Sequence, residues 1–113
     1  MELEIKGKLR ELKFDIGFIR KLDEVYTVER EGVQFGMGLA MANIQLQQYN
    51  PSALSEVIRC ASTGNPSLRD VDNAVEEYAE ENDGLGGLFE EIIEELGKSV
   101  TVKDTMTRMS QLA

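Results

Sequence analysis

Apolar and polar residues alternate on both sides of a glycine turn at the start of the chain. Glu2 to Lys6 and Leu9 to Phe14 are short alternating segments around Gly7-Lys8. A period of two marks a half-buried strand, and a two-residue turn with glycine first suits a type II′ hairpin. Such a turn pairs Lys6 with Leu9, Leu3 with Leu12 and Met1 with Phe14. The apolar side chains then share one face with Ile5, interrupted only by Arg10. A lone hairpin is marginal in water, so this one is expected to lay its apolar face on helices.

From Asp15 the apolar spacing changes to three and four. Asp15 is placed to cap a helix running to about Tyr26, carrying Ile16, Ile19, Leu22 and Tyr26. Thr27 to Gly32 reads as a charged connection. A second helix is predicted from about Gln34 to Tyr49, with Gly36 and Gly38 weakening its first turn. Asn50-Pro51 ends it and starts the third, since asparagine caps well and proline fits the first helical position. That helix carries Leu54, Val57, Ile58 and Ala61, and Gly64 is placed to terminate it.

Ser67 with Asp70 resembles a capping box ahead of Val71, Ala74, Val75 and Tyr78, predicting a fourth helix to about Glu81. After the Asn82-Asp83-Gly84 turn, Leu85, Leu88, Phe89, Ile92, Ile93 and Leu96 form the stripe of a fifth, ending at Gly97. The predicted fold is therefore mainly α within the α+β class. An N-terminal β-hairpin is followed by about five helices in a compact bundle, forming a domain over residues 1–97. Residues 98–113, polar apart from a few positions, are expected to be a flexible C-terminal tail with at most a short helix.

The charge narrows what such a domain can do. Twelve basic against twenty-one acidic residues give a formal charge of −9, which repels phosphate backbones and anionic lipid. Nucleic acid and membrane are thus not expected partners. No run approaches the roughly eighteen apolar residues of a spanning helix, and the first residues lack the features of a secretory signal. The chain is expected to remain where it is made. A single cysteine forms no internal disulfide, and the sequence contains no histidine, the commonest metal ligand and the side chain that titrates most readily near neutral pH.

The remaining candidates for chemistry have simpler explanations. Cys60 neighbours Val57, Ile58 and Ala61, where cysteine behaves as a small hydrophobe. The clusters Glu76, Glu77, Glu80, Glu81 and Glu90, Glu91, Glu94, Glu95 alternate with apolar stripes, as solvated helix faces do, and are not read as a metal site. Gly84-Leu85-Gly86-Gly87 lacks the lysine and serine of a phosphate loop. No catalytic residue, metal or cofactor is assigned, and the chain is expected to act by binding and not by catalysis.

One stretch departs from the rest of this charged chain: no charged residue occurs between Gln34 and Ser55. At about 100° per residue, Phe35, Leu39, Ala42, Leu46 and Tyr49 cluster on one side of a helix and Met37, Met41 and Ile44 fall nearly opposite. Two arrangements are open. The helix is central and buried on both sides, or one face packs internally while Met37, Met41 and Ile44 meet a partner. Methionine suits the second because its flexible side chain repacks against varied apolar surfaces.

The run from Leu3 to Leu39 resembles the tail assembly chaperones of long-tailed bacteriophages of Gram-positive hosts. The likeness is strongest in Phe14-Asp15-Ile16-Gly17-Phe18-Ile19-Arg20-Lys21-Leu22-Asp23 and Val33-Gln34-Phe35-Gly36-Met37-Gly38-Leu39, and the acidic segment Glu76 to Leu96 is similar too. The resemblance implies a non-enzymatic protein of the bacterial host cytoplasm. Such a protein coats the tape-measure protein, keeps it soluble, helps recruit tail-tube subunits and is absent from the finished virion. It also implies a second, longer product made by ribosomal frameshifting near the end of the frame. No shared binding residues carry across, so the Met37, Met41 and Ile44 assignment rests on helical geometry alone. A coat on a long client needs repeated copies, so a homo-oligomer is expected. The competing readings are an acidic inhibitor that mimics nucleic acid to block a host enzyme, and an enzyme subunit whose active site spans an oligomer interface.

Overall fold

The computed structural model describes residues 1–112, and at positions 28, 30, 33–35 and 110–112 it describes the backbone only. It is mainly α, with the expected N-terminal hairpin. Strands β1 (Glu2–Ile5) and β2 (Lys8–Glu11) are followed by α1 (Ile16–Val25), β3 (Thr27–Arg30) and β4 (Val33–Gly36). Then come α2 (Gly38–Gln47), α3 (Pro51–Ala61), α4 (Leu68–Asn82), α5 (Gly86–Lys98) and α6 (Val100–Leu112).

The first hairpin forms one step away from the expected register. Ile5 pairs with Lys8 and Leu3 with Arg10, because the turn is Lys6-Gly7, both at positive φ, which makes it type I′ and not the predicted type II′. Both registers pair odd positions of β1 with even positions of β2, so the apolar face is unchanged. Ile5, Leu12 and Phe14 are buried, and Met1 and Leu3 pack on the core at half burial. Arg10, the residue that breaks this face, is satisfied by carbonyls. Its Nε donates to Ile5 O at 3.3 Å and its Nη1 to Thr63 O and Gly64 O at 3.5 and 3.4 Å, tying the hairpin to the loop after α3.

The helix boundaries follow their caps. Asp15 Oδ1 accepts the Phe18 N–H at 2.9 Å, Asn50 Oδ1 accepts the Ser52 N–H at 2.9 Å with Pro51 in the first position, and Ser67 Oγ accepts the Asp70 N–H at 3.1 Å. At the starts of α1, α3 and α4 at least one orphan amide thereby gains a partner. The inward faces of α1, α3, α4 and α5 supply Phe18, Leu22, Leu54, Val57, Ile58, Val71, Leu88, Phe89 and Ile92 to one core.

Two segments differ from expectation. The charged connection and first turn assigned to the second helix form a second antiparallel hairpin, β3 with β4, turning at Glu31-Gly32 with both residues at positive φ. Alternation across an X-Gly pair prevails over helical spacing here, and α2 begins only at Gly38. The segment read as a tail is a thirteen-residue helix, α6, packed on α1, α2 and α5. Val102 in its first turn is fully buried in the core, and Ser99 starts it: the hydroxyl donates to Phe14 O at 2.6 Å and accepts the Val102 N–H at 3.3 Å.

Candidate functional site

The start of α2 is built from glycines and a borrowed carboxylate. Met37, at the cap position, offers no side-chain hydrogen bond. Asp23 at the end of α1 supplies one instead, its Oδ1 accepting the Gly38 N–H at 2.9 Å, where a negative charge also meets the positive end of the helix dipole. The approach is close. A Cβ on Gly38 would lie 2.4 Å from the Leu22 carbonyl carbon, and one on Gly36 would lie 2.6 Å from Asp23 Cγ. Of the two glycines that weaken helix propensity, Gly38 lets α2 start against the backbone of α1 and Gly36 leaves room for the Asp23 side chain that caps it.

Helix α2 then presents two unlike sides. Leu39, Ala42 and Leu46 are buried, matching one predicted face; the side chain of Phe35, assigned to the same face, lies outside the described residues. Tyr49 is 53% exposed, with its ring centroid 4.9 Å from that of Phe89. On the opposite side Met37 and Ile44 are 39% and 52% exposed, and Met41 between them is half-buried. Along one edge of α2 the Tyr26 hydroxyl donates to Gln45 Oε1 at 3.3 Å. Burial, with a smaller contribution from Glu56, holds the Tyr26 phenol above its ordinary value.

Beside Met37 opens a cleft of about 450 Å3 that periodicity alone did not indicate, lined by Ile19, Asp23, Leu39 and Ala40 and by Thr105 and Met109 of α6. The signal for it was the spacing of Val102, Met106 and Met109 on a segment read as tail. Asp23, the one charged residue among the described residues of that lining, is already engaged by the amide of Gly38. The walls offer apolar contact and little else.

Groups suited to covalent chemistry are not gathered there. Cys60 is buried, and burial pushes its thiol up to about 11, outweighing the opposing charge of Arg59. We expect no reaction of the native protein with a water-soluble thiol reagent at pH 8, and stoichiometric reaction in denaturant; rapid native labelling would show an open thiol. Among the described residues, no group of three or more Cys, Asp or Glu side chains is placed to hold a metal ion, and no helix is long and apolar enough to cross a membrane.

Charge is separated from the α2 surface. Residues 68–98, which span α4 and α5, hold eleven acidic and two basic residues; the rest of the chain holds ten of each. The whole formal charge therefore belongs to α4, α5 and the turn between them, where the clusters Glu76, Glu77, Glu80, Glu81 and Glu90, Glu91, Glu94 are exposed. Lys98 bridges Glu94 and Glu95 at 3.4 and 3.5 Å, and the Glu94 hydrogen bond leads the causes that raise its pKa.

No curated protein and no solved structure matches the chain. A family model described as phage tail assembly chaperone protein, TAC, matches residues 2–111. That span includes both hairpins, the uncharged helix, the acidic pair α4 and α5, and nearly all of α6, and the chain belongs to the phage tail assembly chaperone family.

Proposed function

We propose that the chain binds the tape-measure protein in the cytoplasm of the bacterial host, keeps it soluble, helps recruit tail-tube subunits, and is left out of the finished virion. The observation that carries this reading is the stripe of Met37, Met41 and Ile44, apolar and partly exposed on a helix without a charged residue. Apolar surface of this kind suits a protein partner, and the methionines let it adapt to varied segments of one long client. The negative charge on α4 and α5 keeps loaded copies from coalescing. The mode is adhesion without chemistry.

Co-expression with tagged tape-measure protein tests it. The soluble yield of the client should rise, the chain should co-purify with it, and added tail-tube protein should join the complex. Met41→Glu should reduce co-purification by roughly tenfold, since a charge in a desolvated contact costs more than 1 kcal/mol, while the cooperative melt is retained. Loss of the melt would place Met41 in the core and remove the stripe from consideration. Because the same stripe would otherwise stay wet, we expect light scattering to give a mass above that of one chain at high micromolar concentration. A strict monomer at that concentration would count against a coat of touching copies.

A further inference from the structure

Helix α6 buries fewer of its described side chains than the helices it covers. Of its described side chains only Val102 is fully buried; Thr105, Met106 and Met109 are half-buried, and Val100 is exposed. Open clefts flank it on both sides, one of about 450 Å3 reaching Ile19 and Met37, the other of about 280 Å3 between Asn43, Ile93 and Met106. Its sequence is a weak helix former, with two valines and three threonines in thirteen residues. Thr105 and Thr107 turn their hydroxyls back onto the carbonyls of Thr101 and Lys103, a habit that slightly weakens helices. A helix of this length and composition does not persist alone in water. It is helical because its seat holds it.

The seat is specific about what it accepts. Val102, Met106 and Met109, at spacings of four and seven, present a narrow apolar stripe toward α1, α2 and α5, while Asp104 and Arg108 pair with each other at 3.6 Å on the solvent side. That is the pattern by which an amphipathic helix fills a groove. The flanking clefts leave room for larger side chains than α6 brings, and Met37 of the α2 stripe lines the larger one, so an incoming helix would gain contacts that α6 does not make.

We propose that α6 is a displaceable strap, an internal stand-in for an amphipathic client helix that takes its seat between α1, α2 and α5. A β-branched residue of the client enters where Val102 lies, and longer apolar side chains follow four and seven positions later. This rests on the client-binding reading above, extends it from a surface stripe to a groove that must be vacated, and is tested without any client. The probe is a labelled peptide of residues 99–113 of this chain, added to the full-length protein. Val102→Asp places a charge in the seat and releases α6 in its own chain, so this variant should bind the peptide. The wild type should bind it at least about tenfold more weakly, because apparent affinity falls with the fraction of open seats. Equal binding to both chains, or no binding to a folded Val102→Asp chain, would overturn the proposal. Hydrogen exchange on the wild type decides independently should that variant fail to fold. Amides of α6 should exchange at least about a hundredfold faster than those of α3, as a separate opening unit, and exchange of α6 in step with α3 would make it a fixed part of the core. Failure of these measurements leaves co-purification untouched, and failure of co-purification leaves these measurements interpretable.

Discussion

Replacing Gly38 with alanine should destabilise the protein by roughly 3 kcal/mol, near the upper end of overpacking costs, and lower its melting temperature by roughly 10 °C. The added methyl would meet the Leu22 carbonyl carbon at 2.4 Å, Asp23 N at 2.5 Å and Leu22 Cβ at 2.6 Å. Two of these three atoms belong to a helical backbone and cannot swing away. Relief would require α2 to lift from α1, and that would stretch the 2.9 Å bond from Gly38 N to Asp23 and leave a helix-start amide without its acceptor. Gly97→Ala is the matched control. It lies in α5 with nothing within 4 Å of the added Cβ, so the same chemical change should stabilise by about 0.5 kcal/mol through helix propensity and unfolded-state entropy. Denaturant midpoints of the two variants should therefore move in opposite directions. A shift of less than about 0.5 kcal/mol for Gly38→Ala would mean that α1 and α2 are not in backbone contact.

Those same glycines show where the sequence was hard to read. Within a helical window Gly36 and Gly38 register only as poor helix formers, since propensity describes a residue against water and its own turn, not against a neighbouring helix. The second hairpin was hidden for a related reason: Val28, Val33 and Phe35 satisfy a strand pattern, but charged residues crowd the Glu31-Gly32 turn and the apolar run continues into α2. The glycine in second place of each turn, with a partner forced to positive φ, is common to both hairpins and was the available clue. By contrast Asp15, Asn50-Pro51 and Ser67 act through hydrogen bonds to amides two or three residues away. Such local chemistry is legible without tertiary context, and the caps form where they were expected. Burial of the first hairpin was legible too, because a slip of one full pair preserves parity and the side chains keep their face. Helical angle alone set Met37, Met41 and Ile44 opposite Leu39, Ala42 and Leu46, but left open whether that side is buried; its partial exposure needed the fold. The neighbouring cleft beside Met37 depends on α6 and needed the fold as well.

Stability and client binding should separate along the two sides of α2. Leu46→Ala is expected to cost about 3 kcal/mol, the middle of the range for a leucine removed from a core, because Leu46 is fully buried. Ile44, two residues earlier and 52% exposed, leaves much of its surface in water before and after truncation. Ile44→Ala should therefore cost no more than about 1 kcal/mol. If the exposed stripe receives the client, binding reverses that order. Ile44→Ala would weaken co-purification with the tape-measure protein although the melt is nearly unchanged, whereas Leu46→Ala, assayed well below its lowered transition, would retain the client. A pair of helix faces gives this inversion only when one is a core and the other a contact. Equal stability losses at the two positions would mean that α2 is enclosed on both sides in solution, by α6 and a second copy or by a closer packing of the bundle. Equal binding losses after correction for unfolding would instead put the client away from the Met37, Met41 and Ile44 stripe.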